Sequence, residues 1–110
     1  MDQIEILRTL PLERRVPVVI EAPQAKDVRV TGDFTGWTAE GVPLRRGSDG
    51  RWGVVLRLLP GEYEYRLLVD GVWTDHPAAP KRIPNSFGGT NCVLIVERRK
   101  PLSIGGISRE

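Results

Sequence analysis

Hydrophobic and polar residues alternate along much of the chain, and this two-residue period predicts β-strands. Val16, Val18 and Ile20 keep the period in the first strand, and Pro23 marks the turn that follows it. The pattern predicts five strands, over residues 16–22, 27–32, 51–59, 62–69 and 92–97.

The clearest alternation lies in a hairpin at the centre of the chain. Gly50 leads into it, Pro60-Gly61 turns it, and Asp70-Gly71 ends it. One face of the two strands is apolar throughout and is predicted to form the centre of the core, with Trp52, Val54, Leu56 and Leu58 on the first strand and Tyr63, Tyr65, Leu67 and Val69 on the second. We therefore expect Trp52 to be structural and Arg66 to point away from the core.

Proline and glycine interrupt the stretch between residues 74 and 90, at Pro77, Pro80, Pro84, Gly88 and Gly89. This density predicts a long ordered loop without a regular element. The chain is thus divided into an N-terminal arm over residues 1–15, a β-sandwich over 16–97 and a basic tail over 98–110.

Length and composition agree with one small all-β domain. A chain of 110 residues forms one modest core, and 12 Gly with 9 Pro favour many short strands. The 16 basic and 14 acidic residues give a net charge of only +2, with the basic residues in scattered pairs, which argues against nucleic-acid binding. The single cysteine, Cys92, excludes an internal disulfide and lies in an apolar run, where we expect it to be a core residue.

The N-terminal residues carry Asp2 and Glu5 and contain no apolar stretch of signal-peptide length. No run approaches the roughly 20 apolar residues that span a bilayer. We therefore expect a cytoplasmic protein with no membrane partner.

Two tryptophans follow tight turns and stand outside the alternating runs. Trp37 closes the segment 32–37, and Trp73 comes just after Asp70-Gly71. A tryptophan on a glycine-rich turn exposes a flat ring on which a ligand can stack. The sequence therefore predicts two aromatic platforms, with Asp33 and Asp70 as turn residues.

These motifs together resemble carbohydrate-binding module family 48, which includes the glycogen-binding domain of the AMP-activated protein kinase β subunit and the isoamylase-type N-terminal domains. The resemblance covers about residues 16–97. It is carried, in order, by residues 28–34 with Trp37, by 50–52, by 61–66 and 69–73, and by Asn85, Phe87-Gly88 and Asn91.

The resemblance implies an immunoglobulin-like (early-set) β-sandwich that binds α-1,4-linked glucan, as a polysaccharide or a maltooligosaccharide. It implies that Trp37 and Trp73 stack on glucose rings and that Asn91 bonds sugar hydroxyls. Arg66 takes the place of a lysine that bonds the sugar, and Phe87 that of a leucine that wedges into the glucan. A glycogen-metabolism enzyme or kinase is the implied protein partner, and the oligomeric state is left open.

The chain departs from the family pattern at two points. His76 stands where the kinase domains usually have an aspartate before the proline, and the segment between Trp73 and Phe87 is one residue longer. Arginine in place of lysine at position 66 keeps the charge and changes the geometry of the donors.

No catalytic constellation stands out. His76 is the only histidine and is interpreted as a hydrogen-bonding loop residue, and the carboxylates near the proposed site lie in turns. Glycoside hydrolysis needs two carboxyl groups across a cleft. We therefore expect no enzyme activity, no catalytic residues, no metal and no cofactor.

Two alternatives to a stand-alone glucan-binding module remain open at this stage. The first is a protein-interaction module of the same fold that does not bind sugar and uses its terminal arms or exposed strand edges. The second is a basic nucleic-acid binder, which salt-dependent binding would reveal.

Overall fold

The computed structural model describes residues 12–98, which form nine strands and one 3₁₀ turn, at Asp33–Thr35. The strands are β1 (Arg14–Glu21), β2 (Val28–Gly32), β3 (Val42–Pro43), β4 (Arg45–Arg46), β5 (Arg51–Leu58), β6 (Gly61–Val69), β7 (Val72–Thr74), β8 (Lys81–Pro84) and β9 (Thr90–Val96). Most of the predicted N-terminal arm and C-terminal tail lies outside the described residues. The predicted all-β class is confirmed.

The strands form two antiparallel sheets. The smaller has the order β1-β5-β4, and the larger has the order β3-β2-β6-β9-β8. Strand β7 pairs with the last residues of β6, beyond the point where β9 ends its pairing. Long β6 therefore joins β2, β7 and β9 into one surface.

The core lies between the inner faces of the two sheets, as the alternation predicts. In the smaller sheet Ile20 pairs with Trp52, which is 8% exposed and donates its indole N–H to the carbonyl of Ala22 at 3.0 Å. In the larger sheet Tyr65 and Cys92 pair and are both fully buried. The predicted structural role of Trp52 and the core position of Cys92 are confirmed.

One buried polar link connects the two sheets through His76, which is 7% exposed. Its Nε2 lies 2.8 Å from the carbonyl oxygen of Val19 on β1, and its Nδ1 lies 2.6 Å from the hydroxyl of Tyr65 on β6. A carbonyl only accepts, so Nε2 carries the proton and, in the neutral ring, Nδ1 accepts from Tyr65. Burial raises the pKa of Tyr65, which keeps that hydroxyl protonated as the donor.

The prediction of an irregular loop over residues 74–90 is wrong at three places. Thr74 ends β7, Lys81–Pro84 forms β8 against β9, and Thr90 begins β9. Four residues are too few to display a two-residue period, and Pro84 is tolerated because β8 is the outermost strand of its sheet among those described. Strands β3 and β4, each two residues long, were also absent from the predicted set.

Across residues 12–98, no helix has the length and hydropathy to cross a membrane.

The link through His76 predicts a large difference between two tyrosine substitutions. Tyr65→Phe removes the donor to a buried imidazole nitrogen and is expected to lower the free energy of unfolding by about 1–3 kcal/mol. Tyr63→Phe removes an exposed hydrogen bond to the carbonyl of Leu59 and is expected to cost less than about 1 kcal/mol. Urea denaturation of both variants measures the difference, and equal losses would contradict the buried link.

Candidate functional site

All five residues that the resemblance assigned to a sugar site line one open cavity of about 680 Å³. The cavity lies on the outer face of the larger sheet, where Arg66 projects from β6 on the side opposite the core. Its described walls are formed by Trp37, Glu64, Arg66, Trp73, Pro84, Asn85, Ser86, Phe87 and Asn91. Small-molecule sites commonly have volumes of about 300–1,000 Å³, so this cavity is large enough for a ligand.

The two turn tryptophans meet at this cavity. Their ring centroids lie 6.4 Å apart with the planes tilted by 45°. Trp73 is 46% exposed and Trp37 is half-buried. The two indoles thus form one continuous, angled aromatic surface.

The position of Trp37 is set by the turn that follows β2. Gly32 lies so close to β6 that a side chain there would collide with the backbone of Glu64 and Tyr65. The chain then turns through Gly36 and Trp37, which have φ angles of 66° and 61°, and the N–H of Trp37 donates to the carbonyl of Gly32 at 3.0 Å. Left-handed backbone is rare for a residue as large as tryptophan, so this turn holds Trp37 in a costly conformation.

Asp33 fixes the orientation of the Trp37 indole. Its Oδ1 accepts the indole N–H at 3.0 Å, and its Oδ2 accepts the backbone N–H of Glu64 at 2.7 Å. One carboxylate therefore ties the first aromatic ring to β6. The interpretation of Asp33 as a turn residue is correct and omits this second role.

Trp73 is placed by a tight hairpin between β6 and β7. Asp70 and Gly71 have φ angles of 50° and 80°, the combination of a type I′ turn. The carboxylate of Asp70 also accepts the backbone N–H groups of Lys26 and Asp27, both at 2.8 Å, and so anchors the hairpin to the chain before β2. Trp73 pairs with Leu68 and therefore projects from the same face as Arg66.

Arg66 is held by a carboxylate from the loop after β7. Its Nη2 lies 3.0 Å from Oδ1 of Asp75, so the two side chains form an ion pair. The guanidinium carbon lies 6.0 Å from the centre of the Trp73 ring, at the limit of a cation–π contact. Its Nε is buried without a hydrogen-bond partner among residues 12–98.

Hydrogen-bonded side chains of β9 and of the turn before it form another part of the cavity wall. Phe87 is 94% exposed at the tip of the turn between β8 and β9. Asn85 holds this turn, because its Oδ1 accepts the N–H groups of Phe87 at 2.9 Å and Gly89 at 3.1 Å. Asn85 also donates to Asn91 at 3.1 Å, and Asn91 donates to Glu64 at 2.9 Å.

Sequence reasoning missed four residues of this arrangement, namely Asp33, Glu64, Asp75 and Asn85 as site components. Glu64 was detectable, since it lies two residues before Arg66 and therefore shares its face of the strand. The other three act through turns whose shapes a strand period does not encode. The described residues contain no group of three or more His, Cys, Asp or Glu arranged to hold a metal ion.

Comparison with known proteins gives one family and several relatives. A family model described as the glycogen recognition site of AMP-activated protein kinase matches residues 16–102. The chain is 38% identical to Protein FLOURY ENDOSPERM 6, chloroplastic, of Oryza sativa subsp. japonica over 84 residues, which cover 76% of this chain and 15% of the relative. It is 33% identical to Protein PTST homolog 2, chloroplastic, of Arabidopsis thaliana over 82 residues, with coverages of 74% and 15%.

The kinase subunit itself is also similar. Subunit beta-1 of the 5'-AMP-activated protein kinase of Rattus norvegicus is 30% identical over 95 residues, which cover 86% of this chain and 34% of the subunit. The chain thus spans between about a seventh and a third of the length of these relatives. Because the family model covers most of the chain, including all of the described strands except the first two residues of β1, the chain belongs to the family of the glycogen recognition site of AMP-activated protein kinase.

Proposed function

We propose that this chain is a non-catalytic module that binds α-1,4-linked glucan, a glycogen- or starch-like polymer, in the cavity between Trp37 and Trp73. The observation that carries the proposal is the meeting of two indoles from separate turns at one cavity. A partly exposed tryptophan leaves apolar ring surface in contact with water. Two such rings at one cavity provide an apolar surface on which a ligand can stack.

The chemistry of the cavity suits a sugar ring. A pyranose has an apolar face of C–H groups and a rim of hydroxyls, so it needs a flat aromatic surface and polar groups beside it. Trp37 and Trp73 supply the surface, while Arg66 and Asn91 supply charged and amide groups within the same cavity. The exposed ring of Phe87 lines the same cavity and offers a further apolar surface to the chain of sugars.

The tilt of the two indoles favours a curved polymer. Successive rings of an α-1,4 glucan are rotated relative to each other, so the chain presents its apolar faces at changing angles. Two platforms inclined by 45° match such a ligand better than they match a flat one.

The family membership supports the same ligand class. The family is described as a glycogen recognition site, and several relatives are kinase beta subunits. We propose a glycogen-metabolism enzyme or kinase as the protein partner, since the relatives are much longer than this chain and carry other parts. Cytoplasmic location stays a prediction, because two plant relatives are named chloroplastic.

Binding without catalysis is proposed because hydrolysis requires two carboxyl groups that flank the bond. The described wall of the cavity has one carboxylate, Glu64. The neighbouring carboxylates Asp33 and Asp75 are engaged by Trp37 and Arg66.

Removal of Trp73 tests the proposal directly. Stacking on one aromatic ring is worth roughly 1–3 kcal/mol, so Trp73→Ala is expected to weaken maltoheptaose binding by about 5- to 150-fold. Isothermal titration measures this for the short glucan, and retardation in a native gel containing glycogen measures it for the polymer. Wild-type affinity is expected between roughly millimolar and tens of micromolar.

The matched control for this experiment is Val72→Ala. Val72 is the preceding residue of β7, is exposed, and does not line the cavity. The Val72→Ala substitution should leave both glucan binding and folding unchanged. Unaltered glycogen retardation by a folded Trp73→Ala variant would overturn the proposed site.

The left-handed backbone at Trp37 predicts a second signature. Trp37→Ala and Trp37→Gly remove the same indole, yet glycine adopts a φ of 61° without the strain that alanine retains. The glycine variant is expected to be more stable than the alanine variant by about 1 kcal/mol, and both should lose glucan affinity. Denaturation curves and titrations of the pair check this, and equal stability would refute the idea that the turn is strained to place the indole.

A further inference from the structure

Glu64 lies on the outer face of β6 and lines the cavity. Its backbone N–H is bound by Asp33, and its Oε1 accepts the amide of Asn91 at 2.9 Å. Its Oε2 has no hydrogen-bond partner among residues 12–98. The side chain is therefore held in place at one oxygen and retains accepting capacity at the other.

The charges around Glu64 leave the cavity negative. Glu64 is the one carboxylate in its described walls, and Asp33 and Asp75 add two more beside the walls, where they are bound to Trp37 and Arg66. Arg66 is the only cation in the described walls and is already paired with Asp75. The chain as a whole has a net charge of +2, so the sign at this site is opposite to that of the molecule.

Other cations on the same face do not neutralise Glu64. Arg29 on β2 pairs with Asp27 at 2.9 Å, and Lys81 on β8 lies 3.9 Å from Glu62. No ion pair to Glu64 occurs within the described part of the chain. A half-buried carboxylate without a counter-ion repels anions and accepts hydrogen bonds from neutral hydroxyls.

We propose that Glu64 contacts the glucan directly and restricts the site to uncharged chains: its free oxygen accepts a sugar hydroxyl, and its charge excludes glucans that bear acidic groups. The inference rests on the proposed function and adds to it a residue and a specificity. Phosphate-bearing and carboxylate-bearing glucans are both excluded on the same electrostatic ground.

The test compares two ligands that differ in charge. The first is methyl α-maltoheptaoside, and the second is the same heptamer oxidised at every C6, so that each ring carries a carboxylate and no binding register avoids the charge. Wild-type protein is expected to bind the acidic heptamer at least about tenfold more weakly. Raising the ionic strength should reduce this ratio by screening.

The informative variant is Glu64→Gln, in which the amide oxygen can still accept from Asn91 while the charge is lost. It should bind the neutral heptamer about fivefold more weakly, because an amide NH2 group, which only donates, replaces the oxygen that accepts the sugar hydroxyl. It should also bring the affinities of the two heptamers to within about threefold of each other.

The matched control is Glu62→Gln. Glu62 lies two residues earlier on the same face of β6 and outside the cavity. The Glu62→Gln substitution removes the same charge from the same strand, and the affinities for the neutral and the acidic heptamer should stay as in the wild type. If Glu62→Gln relaxes the discrimination as much as Glu64→Gln, the effect is one of net charge and the assignment to Glu64 is overturned.

The outcomes separate this inference from the proposed function. Absence of neutral-heptamer binding by the wild type would contradict the proposed function itself. Neutral binding that Glu64→Gln leaves unchanged, with the acidic heptamer still excluded, would leave glucan binding intact and contradict the role of Glu64.

Discussion

Side chains along β6 point alternately into the core and into the cavity, so the packing of the core determines which residues face the cavity. Tyr65 and Leu67 face inward and are fully buried, while Glu64 and Arg66 face outward into the cavity. A one-residue change of register would move each set to the opposite face and would place two charges in the core. The packing that stabilises the sandwich therefore also fixes where the polar groups of the site stand.

The turns that carry the aromatic rings are fastened to this strand by side-chain acceptors. Asp33 binds the Trp37 indole and the backbone of β6 at once, and Asn85 binds the turn of Phe87 and the side chain of Asn91. Asp33 and Asn85 each have two polar side-chain atoms, and each of these atoms forms a hydrogen bond with a different segment of the chain. The rings are thus positioned before a ligand arrives, which reduces the ordering cost of binding.

Much of the fold follows from the sequence because burial obeys a two-residue period. The inward positions of β5 and β6, including Trp52 and Tyr65, were predicted from that period and lie in the core. Strand β8 was missed, since it is four residues long and ends in a proline that only an outer strand accepts. The resemblance predicted that Trp37 and Trp73 belong to one site. The hydrogen-bonding roles of Asp33, Asp75 and Asn85 depend on loop conformations that the local sequence pattern does not predict.

The most direct measurement of the central claim follows the three indole N–H signals by NMR during a titration with maltoheptaose. Trp52 serves as an internal reference, because its N–H is bound to Ala22 in the core. The account predicts that the signals of Trp37 and Trp73 shift together and saturate at one dissociation constant while that of Trp52 stays in place. Signals of Trp37 and Trp73 that do not move up to about 10 mM ligand, well above the expected affinity, would contradict it.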